Sequence, residues 1–324
     1  MTALLQISNL KVRGSRARWV NGHSGASLYG VSVELERGET LGIVGETGAG
    51  KRLLAAAILR RARPDSGEIH FAEKPIGALR GAALRDYRRN VQILDPDPLA
   101  ALNRRFSVAQ ILAEPLRVHR LCPPREVASI VETMLRRVGL DPALERRQPA
   151  DLTREQALRI GVARALCLEP QILILDEPEA AVGVSTLAQV FHLIAELQDA
   201  MQFGLILLSG NPGVARYLCR HLAVMYVGRI VELGPTEEIV ASPRHPYTRA
   251  LLEAMPRISR PIMPPVAGLA GDPPAGTPPP GCAFHPRCQQ AKTLCGSGDA
   301  PIRRSDGPVA VWCHLYPEVP SPRR

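Results

Sequence analysis

Along LLQISNLKV (residues 4–12) apolar and polar side chains alternate, the period-two rhythm of a half-buried strand. GVSVEL (30–35) repeats it, and ETLGIVG (39–45) is a nearly continuous apolar run. That run predicts a buried strand leading straight into a glycine-rich loop. The rhythm then changes. LLAAAILRRA (53–62) holds good helix formers and no breaker, which predicts a helix. PDSG (64–67) predicts a turn and EIHFA (68–72) another strand.

Apart from a short strand at Val91–Leu94, residues 83–165 read as mainly helical. VASIVETMLRRVGL (127–140) and REQALRIGVARALCL (154–168) carry apolar residues at helical spacing, and Gly139 marks the end of the first. QILILDEP (171–178) predicts a buried strand ending in two acids, TLAQVFHLIAELQDAM (186–201) a helix, and FGLILLSG (203–210) a further buried strand. LAVMYVGRIVELG (222–234) predicts two short strands. Buried strands alternating with helices imply an α/β fold whose sheet is largely parallel and covered on its faces.

The texture changes near Pro256, because 15 of the 30 prolines lie in residues 256–324. Proline fixes φ and removes a donor, so this density predicts no regular helix and no central strand there. Residues 256–281 read as linker-like coil and 282–316 as a small cysteine-bearing module.

Composition adds limits. With 45% hydrophobic and 22% charged residues the chain is an ordinary globular one. No run of about 18 apolar residues is present and the N-terminus lacks a signal-peptide core, so a membrane role is expected to come through a partner. The net charge of +9 fits a solvated basic surface, with nucleic acid or an anionic membrane as alternatives. The basic residues are dispersed in short clusters such as Arg60-Arg61 and Arg146-Arg147.

The loop Gly45-Glu46-Thr47-Gly48-Ala49-Gly50-Lys51-Arg52 follows a buried strand and opens a helix, the setting of a phosphate-binding loop. Glycines let backbone N–H groups wrap phosphates, the helix N-terminus favours the anion, and Lys51 is placed to reach the β- and γ-phosphates. The strand ILILDEP supplies Asp176 for Mg²⁺ and Glu177 to orient or activate the attacking water.

These segments resemble the ATP-binding subunits of ABC transporters, and more narrowly the oligopeptide/dipeptide (and nickel) importer branch. The likeness rests on GETLGIVGETGAGK, QILDPDPLAALNRR (92–105), RIGVARAL (159–166), VMYVGRIVELG (224–234), SPRHPYTRALLEAMP (242–256) and the tail GCAFHPRC…C…VWCHL. It implies a P-loop NTPase core with an antiparallel β subdomain over 1–255. A helical subdomain at about 95–160 would meet the permease, and a proline- and cysteine-rich extension would occupy 256–324. The implied cofactors are ATP and Mg²⁺. The implied partners are transmembrane permease subunits, a second ABC ATPase subunit and, indirectly, a solute-binding protein, at the cytoplasmic face of the membrane; nucleic acid is not expected.

The motifs depart from the family's pattern at several positions. The Mg²⁺-binding Ser/Thr becomes Arg52, the Q-loop glutamine Pro96, and the signature LSGGQ reads Leu152-Thr153-Arg154-Glu155-Gln156. The D-loop aspartate becomes Gly183 and the switch histidine Gly210. The adenine-stacking aromatic aligns with Gly14, with Trp19 a nearby substitute. A guanidinium has only donors and cannot ligate Mg²⁺. Lys51, Asp176 and Glu177 remain. The expectation is a nucleotide-binding importer subunit with hydrolysis impaired in its own site. The alternatives are a non-hydrolysing structural or regulatory subunit and a soluble nucleic-acid-associated ABC protein.

Cys282, Cys288, Cys295 and Cys313 form C-x5-C-x6-C-x17-C, without the short pairs usual for structural zinc. The resemblance implies a [4Fe–4S] cluster on these four, with His285 and His314 as candidate further ligands; zinc, or free thiols that oxidise to a disulfide on isolation, are the alternatives. Cys122, Cys167 and Cys219 read as small buried hydrophobes.

Overall fold

A computed structural model describes residues 3–14, 26–255, 271–273 and 277–316; Trp19 lies outside them. The chain divides into two compact units. One comprises Met1–Glu36, Thr40–Ala78 and Leu208–Arg324, the other Arg37–Glu39 and Leu79–Leu207.

The first unit begins as the alternation predicts. β1 (Leu5–Val12) pairs antiparallel with β2 (Leu28–Leu35), and Leu5, Ile7, Leu10 and Val12 point into the core. The register shifts between Ile7 and Leu10, where Asn9 takes a left-handed backbone (φ 46°), a bulge that bends the strand. β3 (Thr40–Val44) is buried at every position and runs into the loop that opens α1 (Lys51–Ile58). α1 is shorter than expected because the chain reverses through Arg60 at φ 55°. β4 (Ser66–Phe71) pairs with β1, and β5 (Lys74–Pro75) with β4, giving a small sheet in the order β2-β1-β4-β5.

The second unit carries α2 (Gly81–Asn90), β6 (Val91–Leu94), α3 (Val108–His119), α4 (Val127–Arg137) and α5 (Arg154–Leu166). It continues with β7 (Ile172–Asp176), α6 (Val184–Met201) and the first four residues of β8 (Gly204–Ser209). α3 starts with a capping box, Ser107 accepting from the N–H of Gln110 while the Gln110 side chain accepts from that of Ser107. Its buried face, including Ile111, Leu112 and Leu116, packs on α4 and α5. β6 and β7 pair in parallel.

The chain then returns to the first unit with α7 (Pro212–Leu218), β9 (His221–Tyr226), β10 (Arg229–Pro235), α8 (Thr236–Ala241) and α9 (Pro246–Glu253). β9 runs parallel to β3 and forms an antiparallel hairpin with β10. The hairpin turns on Val227 and Gly228, both at positive φ (42° and 75°), which suits a primed two-residue turn. The tail adds α10 (Thr293–Gly296), β11 (Arg304–Asp306) and β12 (Val309–Val311).

The tail corrects a sequence-based expectation. β12 lies between β10 and β11, antiparallel to both, so this proline-rich stretch does supply an internal strand. Val309-Ala310-Val311 is a proline-free apolar window directly after Pro308, and a proline outside the ladder removes none of its donors.

Candidate nucleotide site

The loop's path is dictated by close approaches. A Cβ on Gly45 would lie 2.1 Å from the carbonyl oxygen of Met225, so β9 leaves room for glycine alone. Gly48 and Gly50 stand at φ 88° and 104°, the left-handed region that glycine reaches at little cost. The N–H of Gly45 donates to the Ser209 carbonyl at 3.3 Å, and the N–H of Gly228 donates to the Ala49 carbonyl at 2.8 Å. Lys51, only 4% exposed, donates to the carbonyls of Gly45 (2.6 Å) and Glu46 (3.2 Å). Its ammonium is thus drawn back over the loop rather than outward. Thr47 is exposed, and Arg52 is half-buried in the first turn of α1.

Residues far along the sequence complete the loop's support. The N–H of Glu46 donates to the Tyr247 hydroxyl at 2.9 Å. The Glu46 carboxylate accepts two hydrogen bonds from Arg287, at 2.7 and 3.0 Å. Arg287 also donates to the Tyr226 hydroxyl at 3.3 Å and lies 5.8 Å from that ring's centroid. Tyr226, Tyr247 and Phe284 pack tilted or edge-on against one another at centroid distances of 4.6 to 5.4 Å.

His-Pro-Tyr-Thr at 245–248 makes this possible. Pro246 opens α9 and the His245 ring nitrogen Nδ1 accepts from the N–H of Tyr247, a cap that aims Tyr247 at the loop. Beneath it the buried Glu232 carboxylate accepts from the N–H groups of Arg244 and His245, each at 2.9 Å. Burial lowers the His245 pKa to about 3 and raises that of Glu232. The sequence shows the signal for α9, a capping side chain before proline, but not its destination.

Asp176 and Glu177 belong to the second unit. Asp176 ends β7 and is 6% exposed. Glu177 takes a left-handed backbone at φ 46°, a costly conformation for a non-glycine residue and one that clusters at functional positions. The signature stretch keeps a helix start. Thr153 accepts from the Gln156 N–H and the Gln156 side chain accepts from that of Thr153, capping α5. Glu155 pairs with Arg159 at 2.9 Å and the Arg154 side chain is exposed. At Gly183, in the second unit, and at Gly210, in the first, a Cβ would meet nothing within 4 Å, so neither glycine is required sterically. Gly14 is different: a Cβ there would lie 1.8 Å from the Ala26 carbonyl oxygen, so this backbone cannot carry an aromatic side chain at that position.

The tail thiols gather. Cys282, Cys295 and Cys313 are buried and Cys288 half-buried, all four free. Burial raises the thiols of Cys282 (to about 11), Cys288 and Cys313, and all six pairs among the four interact electrostatically. Among the described residues, however, no group of three or more His, Cys, Asp or Glu side chains is placed to hold a metal ion. His285 spends Nδ1 on the Cys282 carbonyl at 3.0 Å.

Residues 28–180 match the family model described as ABC transporter, and residues 231–295 that of the oligopeptide/dipeptide transporter C-terminal region. The oligopeptide transport ATP-binding protein AppF of Bacillus subtilis is 39% identical over 294 residues, covering 90% of this chain and 89% of that protein. This chain belongs to the oligopeptide/dipeptide branch of the ABC transporter ATP-binding proteins. A second member, OppF of Salmonella typhimurium, is 38% identical over 320 residues, covering 96% of this chain and 95% of its own. Among solved ABC structures, cbiO1 of Clostridium perfringens, part of the complex cbiONQ, superimposes with a TM-score of 0.65 at 27% identity, over 75% of this chain and 92% of its own. The C-terminal family model spans Glu232, His245, Tyr247, Phe284 and Arg287, the residues that brace the phosphate loop of this ABC protein.

Proposed function

We propose that this chain is the nucleotide-binding subunit of an ABC importer for peptides or related small solutes, with hydrolysis impaired in its own site. The observation that carries it is a phosphate loop held from four directions with Lys51 in place, beside Arg52 and Gly210 where a metal ligand and a γ-phosphate contact belong. Lys51 and the loop N–H groups bind phosphate. Asp176 would hold Mg²⁺, which neutralises and orients the γ-phosphate, and Glu177 would position the attacking water. Arg52 offers charge but no lone pair to the metal, and Pro96 can neither ligate it nor place water.

Transmembrane permease subunits and a second ATPase subunit are the partners this reading requires, at the cytoplasmic membrane face. Among the described residues no helix is long and apolar enough to cross a membrane. The four tail cysteines would hold a [4Fe–4S] cluster, supported by their mutual proximity and tested by anaerobic purification with visible absorption and iron analysis. An iron-free, colourless protein from cluster-competent cells rejects that assignment.

The function is tested by titrating the purified chain with a fluorescent ATP analogue and measuring turnover with Mg²⁺. Saturable binding with turnover about a hundredfold or more below an intact ABC ATPase is expected, given that single lost transition-state contacts cost about 10²–10³ in rate. Ordinary turnover that Glu177→Gln abolishes rejects the impairment.

A further inference from the structure

Glu46 is an acid inside a loop built to receive an anion. Left bare, its carboxylate would repel the phosphates that Lys51 and the loop amides attract. It is not bare: Arg287, 241 positions later and with a side chain only 5% exposed, grips both carboxylate oxygens. A two-pronged guanidinium–carboxylate pair fixes geometry as well as charge. Arg287 is itself held, over the Tyr226 ring and by a turn in which its N–H donates to the Phe284 carbonyl at 3.0 Å. Hydrogen bonding to Glu46 is the main reason its guanidinium is held above its usual pKa, so it carries its charge at every working pH.

We infer that Arg287 is a positioning residue of the nucleotide site: it neutralises Glu46 and fixes the loop's first turn, so that binding strength for a polyphosphate depends on the cysteine-bearing tail. This rests on the reading that the loop binds nucleotide. The mechanism is electrostatic, so its signature depends on ligand charge. Bracing alone would affect all nucleotides alike.

The test is equilibrium binding of ATP, ADP and AMP to the full chain and to Arg287→Ala, Arg287→Lys, Glu46→Gln and the double variant Arg287→Ala/Glu46→Gln. Arg287→Ala should weaken ATP about tenfold, ADP less, and AMP about twofold or less, as one uncompensated charge acts on fewer phosphates. Arg287→Lys should recover most of the loss. Adding Glu46→Gln to Arg287→Ala should restore ATP affinity to within about threefold of Glu46→Gln alone, since the repelling charge is gone. Equal losses for all three nucleotides, or no relief from Glu46→Gln, overturns the inference and leaves nucleotide binding standing. If the unsubstituted chain binds no ATP, the underlying reading fails. Hydrogen exchange of peptides over 45–51 then decides the positioning role: faster exchange in Arg287→Ala supports it, and unchanged exchange rejects it.

Discussion

The backbone N–H of Glu46 donates to the hydroxyl of Tyr247 at 2.9 Å, across 201 positions of sequence. Tyr247→Phe removes that acceptor and keeps the ring against Tyr226 and Phe284. A loss of about 1 kcal/mol in unfolding free energy is expected, as for one hydrogen bond, with nucleotide binding weakened about threefold to fivefold. Urea denaturation and titration with a fluorescent ATP analogue read the two effects; unchanged nucleotide affinity would remove Tyr247 from the site's support.

Gly45→Ala forces a methyl group toward the Met225 carbonyl oxygen, where the Cβ would lie at 2.1 Å. Backbone must shift on one side or the other, at a cost of about 1–3 kcal/mol. Nucleotide affinity should fall further than stability alone explains, because the displaced backbone is the phosphate cradle. Gly183→Ala, with open space around its Cβ, serves as the comparison for stability.

The open space at Gly210 allows a test of the impaired chemistry by restoration. Gly210→His and Arg52→Ser are meant to return a γ-phosphate contact and a hydroxyl for Mg²⁺, and a Cβ at position 210 meets nothing within 4 Å. Together they should raise Mg²⁺-dependent ATP turnover about tenfold or more, since each contact of this type is worth roughly 10²–10³ in rate and restoration is incomplete. Arg52→Ser should also make nucleotide affinity more dependent on Mg²⁺. No gain in either quantity would place the block elsewhere, with Pro96 the next position to vary.

His245 gives the fold an acid sensitivity. Burial holds its pKa at about 3, against 6.5 for a free imidazole. Between those values the unfolded chain takes up a proton that the folded chain excludes, so stability is full above pH 6.5 and falls as pH drops toward 3. The slope is about 1.4 kcal/mol per pH unit for one proton. Glu232, pushed up by burial, binds its proton more readily in the fold and opposes part of this loss. The urea midpoint should drop between pH 7.5 and 5.5, and His245→Gln, though less stable at pH 7.5, should show a flatter profile. Parallel profiles for the two proteins would show that another group titrates.

The alternation in β1 and β2 and the apolar runs of β3, β7 and β8 settled strand identity from sequence, because burial on one face or two leaves a period of two or none. The path of the loop 45–52 was equally legible, since its glycines serve backbone conformation, a local requirement. Helix ends were less so: α1 stops at Ile58 through a left-handed Arg60 that no composition signal marks. Only tertiary structure decided what braces the loop. Tyr247 and Arg287 reach Glu46, with Arg287 held against Tyr226, because β9, α9 and the tail converge there, and β12 joins the sheet although prolines surround it. Contacts closed over two hundred residues depend on how elements stack, and no local pattern encodes that. The sequence by itself determined the path of the glycine-rich loop; the packed fold alone determined that an acid in that loop is paired with an arginine from the tail.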